Sequence, residues 1–168
     1  RDNVSIFGSM SNSEISNIYV SNEHGGYVKG NCSVAAIVST LFDSKISSCT
    51  NEIDIYAEGN SVGGIVGYSE YDSMPSTIEF CENRGNITSA DGNAGGIVGY
   101  IYEAQIVSCI NNGNIEAGYS TGGIIGCGDT INITDCTNYG SIIGFDNTGG
   151  ICGYTSWGTE LSGCINNG

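Results

Sequence analysis

One glycine-rich phrase recurs along this chain, and its recurrence constrains the fold more than any single residue does. It reads "VGGIVGY" at Val62–Tyr68, "AGGIVGY" at Ala94–Tyr100, "TGGIIGC" at Thr121–Cys127 and "TGGICGY" at Thr148–Tyr154. The second glycine of each pair falls at Gly64, Gly96, Gly123 and Gly150, giving steps of 32, 27 and 27 residues. Self-similarity at such a period marks a solenoid or array, in which each unit buries its apolar face only by stacking on its neighbours. Degenerate copies stand upstream at Ser33–Thr40, where Ala35 and Ala36 replace the paired glycines, and at Val4–Ser9. Six copies are therefore expected, with a period of about 28 residues.

A second phrase, Ile-x-x-Cys-x-Asn, follows each glycine phrase. It stands at Ile46–Asn51, Ile78–Asn83, Ile106–Asn111, Ile133–Asn138 and, with Leu leading, Leu161–Asn166, while the earliest copy at Ile15–Val20 carries Ile18 in place of Cys. A third phrase, "GNI" or "GSI", occupies Gly85–Ile87, Gly113–Ile115 and Gly140–Ile142, with Ile53–Ile55 as its degenerate form. Each repeat thus holds three short β-prone segments separated by turn-forming residues. No window carries apolar residues at helical spacing. The expected fold is a single all-β domain over residues 1–168, a parallel β-helix (β-solenoid) of about six coils with three short strands each. The fixed Ile, Cys and Asn positions should face inward.

Charge narrows the partners. With 18 acidic residues against 4 Lys plus Arg, the formal net charge of −14 opposes nucleic acid and anionic membrane surfaces. No apolar run is long enough to insert into a bilayer, and the start at Arg1 lacks a signal segment, so the chain reads as a mature or excised piece of a longer protein.

The glycine phrase itself is not a dinucleotide loop, which needs Gly-x-Gly-x-x-Gly between strand and helix. Paired glycines fit a sharp corner with close backbone packing. Cys49, Cys81, Cys109, Cys136 and Cys164 recur once per coil and are expected to form a ladder of buried free thiols, although the spacing of neighbouring strands also permits bridges. Without a CxxC pair, and with His24 the sole histidine, no metal or other cofactor is expected. Asn51, Asn83, Asn111, Asn138 and Asn166 are expected to form a second ladder through their side-chain amides, a role compatible with simple turn preference.

Polysaccharide-cleaving solenoids require clustered carboxylates, whereas Glu103, Glu116, Asp129 and Glu160 follow no recurring spacing and Arg84 is the sole Arg within the repeats. No catalytic residue is assigned, and the enzyme reading is the weakest of the alternatives. More variable are the segments after each glycine phrase: Ser69–Thr77, Ile101–Gln105, Gly128–Asn132 and Thr155–Glu160. These are expected to emerge as loops along one face, where Tyr71, Tyr102 and Trp157 are candidate ligand contacts for a protein or glycan. The alternative is that each aromatic covers the edge of its own coil.

The combination of "GGIVGY", Ile-x-x-Cys-x-Asn and "GNI" resembles the GLUG-motif repeats of bacterial surface proteins, including adhesins and the non-catalytic parts of bacterial IgA peptidases. The resemblance spans nearly the whole chain and departs at Ser5, Ile18, Ala35 and Ala36. It implies a right-handed coil and an extracellular, non-enzymatic repeat module on a bacterial cell surface, a rigid spacer or an adhesion scaffold whose partner is a host protein or glycan. End-to-end self-association into a fibre is the alternative.

Overall fold

The computed structural model describes residues 1–168. The chain is all-β without a helix, and its strands pair in parallel with the strand one coil away. This is a β-solenoid of about six coils of about 28 residues. No helix is present that is long and apolar enough to cross a membrane.

The coils form four sheets rather than three, because the glycine phrase contributes to two of them. Its first half pairs in a glycine sheet (Val34–Ala35, Val62–Gly63, Ala94–Gly95, Thr121–Gly122, Thr148–Gly149), and its second half enters the ten-stranded main sheet. Ile-x-x-Cys closes the main sheet, and the Asn that follows lies in an asparagine sheet (from Tyr19–Val20 to Ile165–Asn166). An isoleucine sheet, from Tyr27–Gly30 to Ile142–Gly144, completes the coil. The split falls at Gly64–Ile65, where the corner is tighter than a strand can bend.

Space, not torsional freedom, is what the paired glycines supply. A Cβ on Gly96 would lie 2.2 Å from the Gly123 carbonyl oxygen and 2.3 Å from Asn111 Cγ. The second glycine therefore packs across the coil directly on the asparagine ladder, and the same contact joins Gly64 to Asn83 and Gly123 to Asn138. Positive φ is carried elsewhere. The residue before each Cys position is left-handed in all six coils: Asn17, Ser48, Phe80, Ser108, Asp135 and Gly163. A second left-handed series bends the main sheet at Asn12, Asp43, Glu103, Thr130 and Gly158.

The interior is a set of like-on-like columns. Ile46, Ile78, Ile106 and Ile133 are stacked in register and fully buried, as are Ile37, Ile65, Ile97 and Ile124 at the glycine corner. Burying one such side chain contributes about 2 kcal/mol. Cys49, Cys81, Cys109 and Cys136 are buried free thiols, and Cys164 of the last coil is half-buried. Their S–H groups donate to nearby carbonyls, such as Cys49 to Ser47 at 3.3 Å and Cys136 to Thr134 at 3.4 Å. Burial pushes the Cys109 thiol well above its usual range.

The asparagine ladder runs as expected and in one direction. Each Nδ2 donates to the Oδ1 of the next coil at 2.8 Å, from Asn51 through Asn83, Asn111 and Asn138 to Asn166. The same Nδ2 donates to the carbonyl two residues ahead, at 2.8 Å for Gly85, Gly113 and Gly140. In the first coil Val20 occupies the ladder position, so the ladder begins at Asn51. A further series, absent from the sequence reading, runs outside: Asp54 accepts from the Asn86 N–H, Asn86 Oδ1 from the Asn114 N–H, and Asn114 Oδ1 from the Ser141 N–H.

Candidate functional site

The main sheet turns an aromatic face outward. Register places Thr40, Tyr68, Tyr100, Cys127 and Tyr154 in one column. Two positions further on, a second column contains Phe42 beside Glu70, and Tyr102 beside Asp129. Strand alternation explains the orientation: Tyr100 and Tyr102 flank Ile101, which is fully buried, so both tyrosines lie on the outer side. The Tyr68 and Tyr100 rings stack with centroids 5.2 Å apart and planes 11° from parallel. The coil repeat thus holds two rings in the offset-stacking range without any further device.

The electrostatics keep these phenols protonated. Burial and then the neighbouring Glu70 carboxylate push Tyr68 up to about 12. Tyr100 is raised by burial and by Asp129, and Tyr102 chiefly by a hydrogen bond to Glu103. Burial, with Asp129 adding to it, pushes the Cys127 thiol up to about 11. The face therefore offers flat rings, phenolic hydroxyls and the carboxylates of Glu70, Glu103 and Asp129. No group of three or more His, Cys, Asp or Glu is placed to hold a metal ion.

Of the three aromatics singled out in the sequence, Tyr102 lies within a strand of the main sheet, and Tyr71 and Trp157 lie in turns between strands of that sheet. Ile101–Gln105 and Gly128–Asn132 are not loops: they belong to continuous strands, Val98–Val107 and Ile125–Thr134, bent at Glu103 and Thr130. Left-handed residues at those bends let a long strand round the corner without leaving the ladder. Tyr102 accordingly projects from the sheet itself. Tyr71 sits in a true insertion. Ser69 pairs with Ile101, 32 residues on, and Ser76 with Ala104, 28 on, so this coil holds 32 − 28 = 4 extra residues. The Tyr71 hydroxyl donates to the Ser73 carbonyl at 3.2 Å, which fastens the ring over its own loop. Trp157 is 86% exposed at the tip of the last coil's turn, where its carbonyl accepts from the Thr130 N–H at 2.7 Å.

Two carboxylates hold these turns in place: Asp43, which the sequence reading did not single out, and Asp129, which follows no recurring spacing. Asp43, in the preceding coil, accepts from the backbone N–H groups of Asp72, Ser73 and Met74 at 3.0 to 3.2 Å. Those bonds, Ser73 first, hold its carboxyl below the ordinary range. Asp129 likewise accepts from the Ser156 N–H at 3.1 Å and from the Ser156 hydroxyl. Sequence reasoning passed over Tyr68, Tyr100 and Tyr154 because they belong to the repeated phrase and were read as scaffold. Their constant offset from the glycine pair was the available signal. Comparison with protein-family models, with curated proteins and with solved structures finds no match.

Proposed function

We propose that this chain is a non-catalytic, GLUG-like repeat module of a bacterial surface protein. It acts outside the cell as a rigid spacer that presents an aromatic contact face to a host protein or glycan. The observation that carries the reading is the in-register tyrosine column on the main sheet, with Tyr102 in a strand of that sheet and Trp157 in a turn between its strands. Flat rings with polar tips suit sugar faces and protein surfaces alike, and the coils beneath supply rigidity rather than a preorganised reacting centre.

End-to-end association of coils into a fibre is the alternative reading. The test is binding to arrays of glycans and extracellular host proteins, comparing the native chain with Tyr102, Tyr154 and Trp157 changed together to Ser. Loss of a ligand with an unchanged melting temperature is the expected result. Turnover of a polysaccharide, abolished by one carboxylate substitution, would replace this reading with an enzyme.

A further inference from the structure

The largest concavity of the surface is not on the aromatic face. It is a groove of about 600 Å³ where the isoleucine sheet turns into the glycine sheet. Three successive coils line it with the same four positions each, 88–91, 116–119 and 143–146. Thr88, Glu116 and Ile143 form one wall in register. Asp91, Tyr119 and Asp146 stand further round the turn. Gly118 keeps the floor low, since a Cβ there would lie 2.5 Å from the Ala90 carbonyl oxygen.

Two properties of the groove coincide. Phe145 is 90% exposed, Ile143 61% and Tyr119 53%, so apolar surface is gathered where nothing in the chain covers it. The carboxylates of Asp91, Glu116 and Asp146 have no cationic partner, because the ion pairs of the chain involve only Lys45 and Arg84, elsewhere. A ligand that meets both must be positively charged and carry apolar length. Lys and Arg do so within one side chain, laying an aliphatic stem on apolar surface and a cation beside carboxylates or over an aromatic ring.

We propose that this groove binds an extended basic peptide segment of a partner protein, lying along the solenoid axis. Two rung intervals span about 9.6 Å, the length of about three extended residues. A basic side chain sits between Asp91 and Glu116, and an apolar one rests on Ile143 and Phe145. Charge complementarity excludes acidic partners and steers basic ones to the site.

The proposal does not depend on the aromatic face. Its test is fluorescence anisotropy of a fluorescein-labelled Lys-Leu-Arg-Phe-Lys peptide in about 0.15 M salt, where distant surface charges are screened. Asp91→Asn, Glu116→Gln and Asp146→Asn combined should weaken binding about tenfold or more, as should Phe145→Ser alone. A control combining Glu14→Gln, Glu23→Gln and Glu160→Gln, all exposed and outside the groove, should change it by less than about twofold. The Tyr102, Tyr154 and Trp157 variant should bind the peptide like the native chain. Equal losses in the two acidic triples would reduce the effect to net charge. No effect of Phe145→Ser, no binding below about 1 mM, or tighter binding of a neutral oligosaccharide at the same residues would overturn the proposal. Thermal melts confirm that each variant is folded.

Discussion

The inner ladders and the outer corner of the main sheet obey opposite rules within the same coils. At the asparagine ladder, successive rungs carry the same residue in the same hydrogen bonds, at 2.8 Å throughout. At the corner, the equivalent stretch is a bent strand in two coils, a four-residue insertion in a third and a Trp-bearing turn in the last. The difference is one of partners. A ladder residue bonds to its own kind above and below, so a change in one coil removes hydrogen bonds from groups in two others. A corner residue faces solvent on its outer side, and its neighbours need only close the chain.

The largest test of this contrast is Asn111→Ala. It removes the ladder acceptor of Asn83 Nδ2, which keeps only the Gly85 carbonyl, the ladder donor to Asn138 Oδ1, which keeps only the Gly140 N–H, and the donor to the Gly113 carbonyl. A loss of about 3–5 kcal/mol is expected in denaturant melts, against less than about 0.5 kcal/mol for Gln105→Ala on the exposed corner. Equal effects would dissolve the distinction.

A smaller change should run in the other direction. Phe80 holds a φ of 54° while 58% exposed, at a position where the other coils use Asn, Ser, Asp or Gly. A bulky side chain in the left-handed region costs about 1–2 kcal/mol, so Phe80→Asn is expected to stabilise by about 1 kcal/mol. A drop in melting temperature would mean that the Phe80 ring contributes packing that outweighs its backbone.

The smallest effect is local and depends on pH. The carboxyl of Asp43 is held below its ordinary value, so its grip on residues 72–74 is complete above about pH 4 and is lost as pH falls through the lowered folded value. The Ser73 amide-proton shift should titrate with a midpoint below the ordinary carboxylate value of 3.8 and should not titrate in Asp43→Asn. A midpoint above 3.8 would show that the loop is not anchored this way.

These particulars explain what could be read from the sequence. The coil count, the parallel stacking and the Cys and Asn columns were legible because a column needs the same side chain in every rung, and sameness is visible in a string of letters. The left-handed residue before each Cys was not, since Asn17, Ser48, Phe80, Ser108, Asp135 and Gly163 share a torsion but no side-chain chemistry. The fourth sheet was hidden because Val62–Gly63 and Val66–Glu70 lie in one continuous phrase that the fold divides. Tyr102 was recognised as outward, but not as part of a strand, because nothing in "IYEAQ" distinguishes a bent strand from a loop. The groove was invisible for a simpler reason: Thr88, Glu116 and Ile143 have nothing in common except their rung.

The asparagine column also works as an error-correcting device. Coils whose Cys-to-Cys steps are 32, 28, 27 and 28 residues all return to the same stacked atoms, so a length difference introduced in one turn is cancelled before the next begins. Slippage, which in a plain sheet would carry every later side chain to the wrong face, is confined here to a single circuit. A lineage carrying such a frame can lengthen or shorten its outer turns one at a time and sample new surfaces without renegotiating the interior.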